Sequence, residues 1–122
     1  MPGECIVTAP LTDIAGLLRA EPALMRAIGD PDARLAVAEV ARPIGIAALA
    51  GLSDRHPLLV ACPTGSDAGR LYDDLCQFLN PDDVMLFPAW ETLPFERVSP
   101  AVETMGRRLE VLWRLTGDTA RP

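Results

Sequence analysis

Apolar residues recur along this chain with two different periods. Ile14, Leu17 and Leu18, then Ala23, Leu24, Ala27 and Ile28, fall on one face each of two short helical pieces. Pro22 suits the first turn of the second piece and Gly29 its end, with Asp30-Pro31-Asp32 as a turn. Residues 34–38 form a short apolar run. They are read as a strand because Pro43 disfavours a helical Arg42. The small apolar residues from Ile44 to Leu52 are compatible with a helix. Leu58-Leu59-Val60-Ala61-Cys62 is apolar on both faces, like a buried parallel strand. Thr64 or Ser66 can cap the helix that follows, which carries Ala68, Leu71, Tyr72, Leu75, Phe78 and Leu79 at spacings of three and four. Asn80-Pro81 stops it, and Val84-Met85-Leu86-Phe87 reads as a third strand. The last helix places Val102, Met105, Leu109, Leu112 and Trp113 on the side expected to be buried. The pairs Glu103/Arg107 and Glu110/Arg114 are four apart in the favourable order.

Strands alternating with helices predict an α/β domain, a partial parallel three-layer arrangement. Residues 1–32 are expected to be an N-terminal helical segment and residues 33–122 the partial α/β domain of a longer protein. Its expected core joins Leu58, Val60, Leu71, Leu75, Phe78, Val84, Leu86, Leu109 and Leu112. Three strands are few for such a sheet. An exposed apolar patch near Trp113 and one unprotected strand edge are therefore expected, with self-association of the chain as their consequence.

Composition narrows the chemistry. The 122 residues are 49% hydrophobic and 23% charged, enough for a core, and the net charge of −6 argues against broad electrostatic binding to nucleic acid. All eleven basic residues are arginine. Without lysine there is no Schiff base and no lysine to grip a phosphate. Where a nucleotide-binding α/β protein would carry its glycine-rich loop, this chain has Ala38-Glu39-Val40-Ala41-Arg42-Pro43-Ile44-Gly45. Pro43 removes a backbone N–H and Glu39 opposes an anion. The expectation is a degenerate nucleotide site of the P-loop or helicase-like type, with no cofactor. His56 is the one histidine and stands in a polar connector; Asp73-Asp74 and Asp82-Asp83 lack metal-site spacing. Cys5, Cys62 and Cys76 are spaced too widely for a zinc site, and Cys62 and Cys76 suit reduced core positions. The start lacks a signal-peptide pattern and no stretch suits a membrane span, so a cytoplasmic protein with no membrane partner is expected. A second functional reading is a free-standing small α/β domain that binds a ligand or anion at Pro63-Thr64-Gly65-Ser66.

The stretch Phe87-Pro88-Ala89-Trp90-Glu91-Thr92-Leu93-Pro94-Phe95-Glu96-Arg97-Val98-Ser99-Pro100, followed by Val102-Glu103-Thr104-Met105-Gly106-Arg107-Arg108-Leu109, is not demanded by generic folding. It resembles the N-terminal region of the bacterial transcription-repair coupling factors (Mfd). The likeness is good over residues 57–115 and loose before them. It implies similarity to the helicase-like first domain of the excinuclease protein UvrB, in a copy that does not bind ATP. It also implies that the full-length protein is an ATP-dependent DNA translocase that displaces stalled RNA polymerase and recruits UvrA. The present chain would then be a non-catalytic scaffold segment whose first partner is the rest of the same factor. The signature residues Trp90, Glu91, Pro94, Phe95, Arg97, Arg107 and Arg108 are the candidate interaction residues. Trp90 and Phe95 are expected to plug the loop. Arg97, Arg107 and Arg108 either face a partner or DNA or, the favoured reading, pair with acids such as Glu96 and Glu103.

The altered loop at 38–45 leads to one expected outcome. Calorimetric titration with ATP and magnesium should give no saturable heat, and micromolar affinity would contradict the reading.

Overall fold

The structure, a computed structural model, describes residues 11, 16–92 and 99–117. They include the helices α1 (Pro22–Gly29), α2 (Arg42–Leu52), α3 (Gly65–Leu75) and α4 (Val102–Thr116). Short 3₁₀ turns at Leu18–Ala20, Glu39–Ala41 and Pro81–Asp83 lead into or between them.

Each helix start has a local cause. Pro22 opens α1, and the Glu21 side chain accepts the Ala23 N–H at 3.3 Å. Thr64 caps α3 by accepting the Asp67 N–H at 3.1 Å. The Asp30 carboxylate closes the expected turn by accepting the Asp32 N–H at 3.0 Å. Asn80 does the same for Asp82 at 3.2 Å, ending the turn that extends α3 to Leu79. Arg42 departs from expectation. Its φ of −57° and ψ of −47° are helical even though Pro43 follows. The 3₁₀ turn at Glu39–Ala41 already delivers the chain in helical geometry, and Pro43, buried in the first turn of α2, needs no donor there.

The core is built around α2. Ala47 and Ala48 have no exposed surface, and they cluster with Leu24 of α1 and Leu75 of α3. Side chains this small let both neighbouring helices approach closely. Leu18, Ile46, Leu49, Leu52, Leu71, Phe78, Leu79 and Val84 pack around that centre, and Cys76 is fully buried.

No strand forms among the described residues, so the chain is helical and not the partial parallel three-layer, helicase-like α/β domain expected above. Residues 34–38, 58–62 and 84–87 carry no regular secondary structure. A strand is held by ladder hydrogen bonds to a neighbour, and these runs make none with one another. Apolarity on both faces signals burial but supplies no partner; Leu59 is 87% exposed. The expected strand edge and the strand-to-helix phosphate turn at residues 37–47 are absent for the same reason. Of the nine expected core residues, Leu75 is buried and Leu71, Phe78 and Val84 pack beside it. Leu86 is half-buried, whereas Leu58, Val60, Leu109 and Leu112 are exposed.

The one large aliphatic side chain that α3 buries in the centre should therefore be sensitive. Leu75→Ala should cost about 2–5 kcal/mol in denaturant-induced unfolding, and a loss below about 0.5 kcal/mol would place Leu75 outside the core.

Candidate functional site

The signature stretch and α4 meet through polar and aromatic contacts. Ala101, at the start of α4, has no side chain able to cap it. Its N–H is instead accepted by the Glu91 carboxylate at 3.1 Å, from ten residues upstream. The other carboxylate oxygen accepts the hydroxyl of Thr104, which is buried in the first turn. Glu91 thus caps the helix from outside and sets a negative charge at its positive end.

One turn further on, Arg108 holds the same loop by a different chemistry. Its guanidinium carbon lies 3.9 Å from the centroid of the Phe87 ring and 4.4 Å from that of Trp90. Its Nη1 donates to the Pro88 carbonyl. Near the far end of α4, Arg114 donates to the Asp82 carbonyl at 2.8 Å. Glu91, Arg108 and Arg114 therefore fasten α4 to the segment 82–91 that precedes it.

Two of the signature residues meet here as one unit, Trp90 with Arg108, and Glu91, next to Trp90 in the loop, holds the preceding turn of α4. Arg107 stands apart, paired with Glu103 at 2.9 Å as favoured above. Arg108 makes no such pair among the described residues; its guanidinium lies over the rings of Phe87 and Trp90 instead. Trp90 remains half exposed, so it is a stacking platform and not a plug. Pro94, Phe95, Glu96 and Arg97 lie outside the described residues. Phe87 and Thr104 belong to the site although neither is among the candidate interaction residues. The spacing of four between Thr104 and Arg108, which places both on one helical face, was the available signal.

Two other places were candidates for ligands. At the start of α3 the negative position is filled by the chain itself. The Asp67 carboxylate accepts the Thr64 hydroxyl at 2.7 Å and Arg70 at 2.6 Å. The Thr64 hydrogen bond first, and Arg70 second, hold Asp67 below the usual carboxylate range. An anion at Pro63-Thr64-Gly65-Ser66 would meet that charge. A cleft of about 520 Å³ between α3 and α4 is lined by Asp73, Asp82 and Glu110 as well as Arg107 and Arg114, so its charges oppose one another. Among the described residues no three His, Cys, Asp or Glu side chains come together as metal ligands. No helix there is long and apolar enough to cross a membrane.

Comparison with known proteins bears out the resemblance read from the signature. The chain is 36% identical over 118 residues, 93% of its length, to the transcription-repair-coupling factor of Mycobacterium bovis. It is 35% identical over 69 residues, 55% of its length, to that of Escherichia coli, and 39% identical over 70 residues, 56% of its length, to that of Haemophilus influenzae. It spans 9% of the mycobacterial protein and 6% of each of the other two. No protein-family model and no solved structure matches it. The chain belongs to the transcription-repair-coupling factor family and corresponds to one segment of those much larger proteins.

The cap at Glu91 should respond to pH. The Thr104 hydroxyl, then the Ala101 N–H, hold its carboxyl below the usual range. A depressed folded-state pKa means that the contribution is complete above the unfolded value of about 4.3 and is lost as pH falls through the lower folded value. In a Trp113→Phe background, Trp90 emission should shift below about pH 4. Glu91→Gln should remove most of that shift, and an unchanged titration would show that the cap does not hold the loop. Arg108→Ala should cost about 0.5–1 kcal/mol from the lost ring stacking, more with the lost hydrogen bond to Pro88, as read in urea unfolding.

Proposed function

We propose that the chain is a non-catalytic scaffold segment of a transcription-coupled DNA repair factor, working in the cytoplasm as part of that larger protein. The observation that carries this reading is the 36% identity to a transcription-repair-coupling factor across 93% of the chain. In this reading the partners UvrA, RNA polymerase and DNA, and the ATP-driven translocation of the whole factor, are engaged through the rest of the polypeptide. Residues 1–32 serve as a helical lead-in to the piece formed by 33–122. The signature residues Trp90, Glu91, Pro94, Phe95, Arg97, Arg107 and Arg108 shape the surface that this piece offers to the rest of the factor. The chain's lack of lysine and its mixed-charge cleft support a structural role over a catalytic one.

Excising the segment from the intact factor tests this. DNA-stimulated ATP hydrolysis should persist while repair of the transcribed strand falls. Loss of ATP hydrolysis in a folded, DNA-binding protein would place the segment in the catalytic machinery.

A further inference from the structure

The helices α1, α2 and α3 share one apolar centre, and α4 has no part in it. Leu24, Ala47, Ala48 and Leu75 form that centre with the half-buried side chains around them, none of which comes from α4. The buried residue of α4 is Thr104, a polar side chain. Met105 and Val111 are half-buried, and the apolar stripe lies outside: Val102 is 80% exposed, Leu109 65% and Trp113 69%. Toward α3 the helix stands across the open cleft of about 520 Å³. The specific contacts that hold α4 are those made with residues 82–91: Glu91 at its first turn, Arg108 on two rings and the Pro88 carbonyl, and Arg114 on the Asp82 carbonyl.

These two kinds of attachment come apart at different cost. A shared apolar centre opens as a whole, because parting any one helix wets the surfaces of its neighbours. Parting α4 wets little that is not wet already, and water replaces the hydrogen bonds that are lost. Once released, α4 has weak support of its own. It is 15 residues long, and an isolated helix of that length is marginal in water. Gly106 in its interior weakens it further. Packing does not demand that glycine, since a Cβ there would meet nothing within 4 Å.

We propose that α4 is a releasable latch, which parts from residues 82–91 and unwinds while α1, α2 and α3 stay assembled. Release uncovers Thr104, frees the Glu91 carboxylate and lifts Arg108 from the rings of Phe87 and Trp90. The loop end of the molecule thus has two states, one with the rings under a guanidinium and one with the rings bare. Arg108 sets the balance from the docked side, and Gly106 sets it from the released side.

Amide hydrogen exchange of the chain, read residue by residue under native conditions, tests the latch. The amides of Leu109, Val111 and Leu112 should exchange faster than those of Ala48, Leu49 and Leu75. Arg108→Ala should speed the first group about tenfold, and Gly106→Ala should slow it about threefold. Neither should move the second group. Leu75→Val, a mild change that keeps the core assembled, should speed the second group about fivefold and leave the first unchanged. In urea, with Trp113→Phe as background, Trp90 emission should change before the bulk of the helical signal is lost. Equal protection of the two groups overturns the proposal, because α4 then opens only with the core. So does any of the three substitutions moving both groups alike, or a urea transition in which emission and helical signal coincide.

Discussion

The attachment of α4 governs what this molecule presents to its surroundings. The other three helices are joined by apolar burial around Ala47 and Ala48. The last helix is held to the stretch that precedes it through Glu91 of that stretch and through Arg108 and Arg114 of the helix. Polar contacts are directional where apolar burial is not. The turn of the helix that bears Thr104 and Arg108 must face the loop, and the apolar stripe is left facing out. The position of every surface residue on α4 follows from that choice.

The contrast shows which parts of the fold could be read from the chain. The helix starts were legible because their causes are local: Pro22 sits in the first turn it opens, and Thr64 and Asn80 accept N–H groups two or three positions on. The family signature was legible as well, because it is a run of unusual residues in fixed order. Misread features have non-local causes. The runs at 34–38, 58–62 and 84–87 have the composition of buried strands, but composition does not bring one strand beside another. For α4, periodicity identified the apolar face correctly and then assigned it to the interior. That step assumes apolar contact decides how a helix docks, and here an arginine between two rings decides it. The ring pair was not legible because Phe87 and Arg108 are 21 positions apart, and nothing in the spacing ties them.

Three residues read as part of the signature come together in the structure. Trp90, Glu91 and Arg108 were read as candidate interaction residues from order and identity alone, and the structure joins the loop to α4 through them. Glu91 substitutes for a capping side chain that Ala101 lacks, and Arg108 finds in two rings the neutralisation that its neighbour Arg107 finds in Glu103. The second possible site, at the start of α3, illustrates the opposite outcome. Its donors are real, but Asp67 has already taken them.

The smallness of the buried centre has a thermal consequence. Cys76 is the largest side chain fully withdrawn from solvent among the described residues, and the helices close around alanines. Heat capacity rises on unfolding mainly because apolar surface becomes hydrated. A domain that hides little such surface gains little heat capacity when it opens. Its stability curve is shallow, with a broad transition and weak dependence on temperature on either side of its maximum.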